Sequence, residues 1–96
     1  MTFEQLKYIV TVEKFGTLKD AAEHLHITLS ALSQGLNKIE AELGLTLFQR
    51  NRTGSTITKE GRIIVAQAKK ILFALDDLYE SAEVLQNKLT GTLKVA

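Results

Sequence analysis

An uninterrupted heptad pattern in the last third of the chain constrains the fold more than any other feature of the sequence. Apolar residues recur there at alternating steps of four and three, the spacing that places them in one stripe along an α-helix. The pattern predicts a helix from residue 59 to about residue 88, which at ~1.5 Å per residue would be roughly 45 Å long. This heptad stripe consists of Ile64, Ala68, Ile71, Leu75, Leu78, Ala82, Leu85 and Leu89.

A helix of that length is too long for one face of a domain built from 96 residues. Packing within the chain accounts for the beginning of the helix, around Ile63 and Ile64, but leaves the part from Leu78 to Leu89 protruding from the core. An exposed apolar stripe needs a partner, most simply the same helix of a second copy. The sequence therefore predicts a homodimer through the heptad stripe.

Composition limits the class of protein. The chain is long enough for one small domain with an appendage, and its apolar fraction of 45% is normal for a globular protein. It has no cysteine, which excludes a disulfide framework and a thiolate metal site and fits a reducing cytoplasm. It also has no apolar run of membrane-spanning length and no signal-peptide pattern. These features predict a cytoplasmic protein without a membrane partner.

The first part of the chain carries the start and stop signals of two helices. Thr2 and Gln5 have the spacing of a capping box, and Gly16 ends the periodic segment that follows. Thr17 opens a short second helix, and residues 26–27 leave only a very short connection to a third. A short helix, a tight turn and a longer helix form the helix-turn-helix plan.

The third predicted helix has two unlike faces between Thr28, which can cap its start, and Gly44, which can end it. The apolar face that must be buried consists of Leu32, Leu36, Ile39 and Leu43. The opposite face is polar and carries Ser30, Ser33, Gln34, Asn37 and Lys38. Small hydrogen-bonding side chains on a helix supported from behind suit the major groove of DNA. Alone, however, the pattern fits an ordinary amphipathic surface helix as well.

A small β-hairpin is predicted after Gly44, with turn chemistry at residues 51–55 between two short extended segments. A hairpin that follows a helix-turn-helix is a wing, and its Arg50 and Arg52 are placed to meet phosphates or the minor groove. Two alternatives stay open: the hairpin is an ordinary surface turn, or Arg50 forms a structural ion pair with Glu40 or Glu42. Six of the seven charged residues between positions 45 and 70 are basic, a local patch that the net charge of +1 hides.

The predicted fold is mainly α: a winged helix-turn-helix with a three-helix core and a hairpin wing in residues 1–58, then a linker and dimerisation helix in residues 59–89. Residues 90–96 change to alternating, β-branched character. They resemble the opening of a strand, which is not stable alone, and predict that the chain is the front piece of a longer protein.

Four separated motifs resemble the N-terminal region of LysR-type transcriptional regulators. They are LKDAAEHLHI at 18–27, ALS at 31–33, LGLTLFQR at 43–50 and TKEG at 58–61. The resemblance implies a winged helix-turn-helix DNA-binding domain, a dimerising linker helix, and a ligand-sensing domain that would begin near Gly91. A small-molecule effector would then bind that missing domain, and no cofactor is expected in this chain. A higher oligomer of the full-length protein stays open.

The sequence departs from the family pattern at the front of the third helix. The family commonly has a glutamine and a proline where this chain has Leu29 and Ser30. Without that glutamine, a bidentate adenine contact is not available at position 29, and Leu29 can instead touch a thymine methyl group. Gly35 is also unusual, because glycine costs about 1 kcal/mol of helix propensity relative to alanine.

These observations predict a bacterial transcription regulator that binds double-stranded DNA sequence-specifically as a homodimer and is associated with the nucleoid. The residues expected at the DNA are Thr28, Leu29, Ser30, Ser33, Gln34, Asn37, Lys38, Arg50 and Arg52. Ser33 and Gln34 are the first candidates for base edges, while Asn37 and Lys38 lie closer to phosphates. The alternative function is a helical protein–protein interaction module that uses the heptad stripe and does not bind DNA.

Catalytic and metal-binding functions find no support in the sequence. It shows no carboxylate pair, nucleophile–base set or glycine-rich phosphate loop, so no enzyme is predicted. His24 and His26 are two residues apart and do not face one another on a helix, so a metal site is not expected there.

Overall fold

The computed structural model describes residues 1–51 and 54–89, without the side chains of residues 88 and 89. Its elements are α1 (Phe3–Phe15), α2 (Leu18–Leu25), α3 (Leu29–Leu43), β1 (Phe48–Asn51), β2 (Gly54–Ile57) and α4 (Lys59–Leu89). The predicted winged helix-turn-helix followed by a long helix is confirmed. Arg52, the side chain of Leu89 and the predicted strand start at residues 90–96 lie outside the described part of the chain.

The helix boundaries follow the capping signals in the sequence. At the start of α1, the Thr2 hydroxyl accepts a hydrogen bond from the Gln5 N–H at 3.1 Å, and the Gln5 side chain accepts one from the Thr2 N–H at 3.0 Å. Gly16 ends α1 in the left-handed conformation, with φ of 78°. At the start of α3, the Thr28 hydroxyl accepts from the Ala31 N–H at 3.0 Å. Local chemistry therefore fixes where each of these helices begins or ends.

One core lies between α1, α2, α3, the start of the hairpin and the first half of α4. Short alanine side chains on α2 allow its neighbours to approach closely. The β1 and β2 strands pair antiparallel, with Phe48 opposite Ile57 and Arg50 opposite Ser55. The buried side chains are Leu6, Ile9, Val12, Ala21, Ala22, Leu32, Leu36, Ile39, Leu47, Phe48, Val65 and Ala68.

The first half of α4 belongs to this core, which corrects part of the predicted heptad stripe. Ala68 is only 1% exposed, so its side chain is covered within its own chain and does not line a surface for a second copy. Ile64 also packs against the core, whereas Ile63, expected to pack with it, is 61% exposed. The reason is helical geometry: residues one position apart lie about 100° apart around a helix, and with Ile64, Val65 and Ala68 facing the core, Ile63 falls on the outer side.

The second half of α4 extends beyond the core, as the length argument predicted. Leu78 is 61% and Leu85 59% exposed, and Ile71 is exposed as well. Leu75 is half-buried at the point where the core ends, and Ala82 is exposed. The structure measures 56 × 25 × 19 Å along its principal axes. Among the described residues, nothing covers this exposed part of the heptad stripe.

The unusual Gly35 of α3 lies against Tyr8 of α1. A Cβ atom added at this position would lie 2.7 Å from both Cδ2 and Cε2 of Tyr8. Gly35 is buried, so the absence of a side chain makes room for the Tyr8 ring. This contact explains a residue that the sequence left without a physical account.

Replacing Gly35 with alanine is expected to lower the free energy of unfolding by about 1–2 kcal/mol, because overpacking costs about 1–3 kcal/mol and improved helix propensity offsets up to about 1 kcal/mol. In a Tyr8→Ala background the clash is gone, so the same substitution should raise the free energy of unfolding. Urea denaturation of the four proteins measures both effects. Equal changes in the two backgrounds would show that Tyr8 is not the constraint.

Candidate nucleic-acid interface

The structure brings the predicted residues of α3 together on one accessible face. Leu32, Leu36 and Ile39 hold the opposite face in the core with no exposed surface. Leu29 is 51% exposed although it is apolar, and Ser33 is half-buried beside the wing. The exposed polar residues of this face are Thr28, Ser30, Gln34, Asn37 and Lys38. The front of α3 is thus available to a partner along its whole length.

Two of these residues interact within the helix itself. The side-chain amide nitrogen of Gln34 donates to the Ser30 hydroxyl at 3.4 Å, a weak bond between residues four apart. The Thr28 hydroxyl is engaged in capping α3. Gln34 and Ser30 therefore present a linked pair of polar groups at the amino-terminal end of α3, the end that contacts base edges in helix-turn-helix proteins.

Arg50 connects the wing to α3. Its Nη1 donates to Oδ1 of Asn37 at 2.8 Å and to the Ser33 hydroxyl at 3.4 Å, and its Nη2 donates to Oε1 of Glu40 at 3.0 Å. Of the two partners left open by the sequence, Arg50 pairs with Glu40, while Glu42 pairs with the amino group of Met1 at 2.9 Å. The charge of Arg50 is therefore compensated by Glu40, and the side chain serves first as a structural link.

Glu40 completes the link between the wing and α3. The sequence indicated Glu40 only as a possible partner for Arg50. Its Oε2 accepts hydrogen bonds from the backbone N–H groups of Leu47 at 2.6 Å and Phe48 at 3.3 Å. Bonds to an ionised carboxylate are stronger than neutral ones. The Glu40 side chain is 17% exposed, so water competes little. One carboxylate thus fixes the end of α3, the connection and the first strand of the wing.

The second strand of the wing is attached to the turn between α1 and α2. The backbone N–H of Ser55 donates to the Gly16 carbonyl at 3.1 Å, and the Ser55 hydroxyl donates to the same oxygen at 3.2 Å. Because Ser55 is paired with Arg50 across the hairpin, the two anchoring points lie side by side. The wing is therefore held against α3 by Arg50 and against the turn that leads into α2 by Ser55.

An open cleft of about 550 Å³ lies between the start of α2, the front of α3 and the wing. The contribution of α2 to this cleft is not predicted from the sequence, where Thr17 indicates only a cap; the signal that points to it is Lys19, two residues further on. The lining residues are Thr17, Leu18, Lys19, Asp20, Leu29, Ser33, Arg50, Asn51 and Gly54. Predicted DNA-contacting residues from α3 and the wing thus share one concave surface with the first turn of α2.

The predicted basic patch is not one continuous surface. Arg50 is neutralised by Glu40, and Lys69 pairs with Glu13 of α1 at 3.1 Å. Lys38 on α3 and Lys19 beside the cleft are exposed and supply positive charge where the candidate interface lies. Arg52, the remaining wing candidate, lies outside the described residues.

Within residues 1–51 and 54–89, no three or more His, Cys, Asp or Glu side chains are grouped so that they could hold a metal ion. Over the same ranges, every helix is too short or too polar to cross a bilayer.

Comparison with known proteins identifies the family to which this arrangement of helices and wing belongs. Residues 3–62 match the family model described as "Bacterial regulatory helix-turn-helix protein, lysR family". The HTH-type transcriptional regulator BsdA of Bacillus subtilis (strain 168) is 35% identical over 96 residues, which is 99% of this chain and 33% of that protein. The nitrogen assimilation regulatory protein nac of Escherichia coli (strain K12) is 35% identical over 95 residues, 99% of this chain and 31% of that protein. The chain thus spans about a third of the length of these curated relatives.

Solved structures show the same architecture in the presence of DNA. The CbnR DBD in its DNA complex matches with a TM-score of 0.86 and 28% identity over 90% of this chain and 99% of that chain. The BenM DBD in its complex with catB site 1 DNA matches with a TM-score of 0.85 and 28% identity over 90% of this chain and 96% of that chain. The relatives are transcriptional regulators and not enzymes, and the alternative of an interaction module without DNA binding is not supported. The chain belongs to the LysR family and carries its helix-turn-helix DNA-binding domain.

Proposed function

We propose that this chain binds specific double-stranded DNA sites as a homodimer, with α3 of each protomer in a major groove. The observation that carries the proposal is the polar face of α3 from Ser30 to Lys38, which carries no negative charge and stands clear of the core while the wing is fixed beside it. The hydrogen-bonding side chains of such a face can reach base edges. Leu29, Ser30, Ser33 and Gln34 lie nearest the amino-terminal end of α3 and are assigned to the bases.

Thr28 and Lys38 are assigned to phosphates, and Arg52 to a phosphate or the minor groove. Phosphate contacts position a protein on the duplex without reading its sequence. Arg50 supports the interface through its bonds to α3, as described above. The effector of the full-length protein would bind a carboxy-terminal domain that follows this chain, with no cofactor in residues 1–96. We place the protein in the bacterial cytoplasm at the nucleoid.

Two substitutions on α3 separate base contacts from phosphate contacts. Ser33→Ala should change the order of preference among operator variants, whereas Lys38→Ala should weaken binding to all sequences alike and reduce the slope of log K against log salt by about 1. Fluorescence anisotropy against a site selected from a randomised pool, repeated at several salt concentrations, measures both. A uniform loss for Ser33→Ala combined with altered preference for Lys38→Ala would exchange the two assignments. Tight binding that does not respond to salt would overturn the proposal.

The homodimer is proposed through the exposed second half of α4. Leu78 and Leu85 lie on the heptad stripe and have no covering within the described chain. Val84 is similarly exposed at 55% but lies off the stripe, which makes Val84→Lys a matched control. Sedimentation should show monomers for Leu78→Lys and Leu85→Lys and dimers for Val84→Lys. Dimers in all three variants would place the interface elsewhere.

A further inference from the structure

The bond between Arg50 and Asn37 fixes the orientation of the Asn37 amide. An arginine guanidinium carries only donors, so the Asn37 atom that faces it at 2.8 Å must be the carbonyl oxygen Oδ1. The amide nitrogen, which carries two donors, therefore points to the other side. Exchanging the two amide atoms would place the NH₂ donors of Asn37 against the N–H donors of Arg50.

Arg50 itself has little freedom to move. Its second nitrogen binds Glu40 at 3.0 Å, and the Glu40 carboxylate is held by the backbone N–H groups of Leu47 and Phe48. The side chain leaves a strand that is attached to the α1–α2 turn through Ser55. The backbone of the wing thus sets the position of the guanidinium. If the Asn37 amide rotated, the guanidinium would not move with it.

Asn37 is exposed on the same face of α3 as Ser33. In this structure the amide oxygen is turned toward the wing, where it accepts from Arg50, and the two N–H donors of the amide are directed away from that bond. Those donors fit hydrogen-bond acceptors on DNA: N7 of either purine, O6 of guanine, O4 of thymine, or a phosphate oxygen.

From this geometry we infer that Arg50 is a positioning residue that orients the Asn37 amide so that its N–H groups face an acceptor atom on DNA. The inference deepens the proposed function and rests on it. It assigns to Arg50 an effect on DNA binding that passes through Asn37. This role does not require Arg50 itself to contact a phosphate.

The test uses the 96-residue chain with four substitutions whose melting temperatures are measured first. Arg50→Lys keeps the charge, but a lysine ammonium cannot reproduce the fork that spans Asn37 and Glu40. Asn37→Asp keeps an acceptor for Arg50 and removes the donor. Asn37→Ala removes both groups. Gln49→Met is the matched control, because Gln49 is exposed on the neighbouring position of β1 and its side chain points to the other face of the hairpin.

Affinities are measured by anisotropy for a selected site and all of its single-base variants. Asn37→Asp should melt at or above the parent temperature and bind at least tenfold more weakly. Arg50→Lys should weaken binding several-fold, and the Arg50→Lys/Asn37→Ala double variant should bind no more weakly than Asn37→Ala. Gln49→Met should bind like the parent. If Arg50→Lys does not fold, Asn37→Asp decides the matter alone.

The pattern over base variants identifies the acceptor. If it is a base atom, the difference in affinity between Arg50→Lys and the parent should become small for the variants of one base pair that lack this acceptor. If it is a phosphate, the loss should be equal for every sequence. Additive losses in the double variant, or parental binding by Asn37→Asp, would overturn the role of Arg50. Failure of the parent chain to enrich any site would instead overturn the proposed function, and the inference with it.

Discussion

Glu40→Ala is expected to lower the free energy of unfolding by about 2–3 kcal/mol, because it leaves two backbone N–H groups and a guanidinium without their acceptor. The N–H groups are those of Leu47, which is fully buried, and Phe48, which is nearly so. Among the described residues, no other side chain accepts a hydrogen bond from these two N–H groups. Thermal or urea denaturation followed by circular dichroism measures the loss.

Glu42→Ala provides the comparison. Glu42 lies two residues further along α3 and also forms an ion pair, with the Met1 amino group, but its side chain is 52% exposed. Exposed ion pairs contribute about 0–1 kcal/mol, so this variant should stay within that range of the parent. Similar losses for the two variants would show that the bonds from Glu40 to the wing carry no special weight.

The contrast between these two glutamates shows where sequence reasoning ends. The caps at Thr2 and Thr28 and the order of the elements follow from local signals, which the chain carries within a few residues. The choice between Glu40 and Glu42 does not, because both are close to Arg50 in sequence and only the path of the chain into β1 decides between them. The same limit applies to Gly35, whose partner Tyr8 lies on another helix.

The heptad stripe shows a second limit. Its spacing correctly predicted a long helix that outgrows the core, but the same spacing assigned Ala68 to a contact between two copies. A pattern of apolar residues predicts that a helix face is buried, but it does not predict whether the same chain or a second copy buries it. Val65 and Ala68, three residues apart, face the core of their own chain, and only further along α4 does the apolar face lose that covering.

The largest loss of stability is expected for Gly61→Ala, at about 3 kcal/mol, near the upper end of the range for overpacked sites. An added Cβ would overlap the carbonyl oxygen of Leu47 and lie 2.9 Å from Cγ1 of Ile57. That carbonyl cannot retreat without breaking its hydrogen bond from the Thr58 N–H, at 2.9 Å. Gly61 itself donates to the Thr58 hydroxyl at 2.9 Å, so the first turn of α4 is fixed as well.

Rescue experiments distinguish this clash from the one at Gly35. Tyr8→Ala should reverse the effect of Gly35→Ala, because the obstacle there is a side chain. Ile57→Ala should not restore stability to Gly61→Ala, because the main obstacle is backbone. Denaturation of Gly61→Ala with and without Ile57→Ala measures this, and recovery of most of the loss would contradict the backbone explanation. The contact at Gly61 also has a functional consequence. The Leu47 carbonyl, just before β1, meets the first turn of α4 and so fixes the wing relative to the helix through which a dimer is proposed. Loosening it should therefore weaken DNA binding by a dimer even where each protomer still folds.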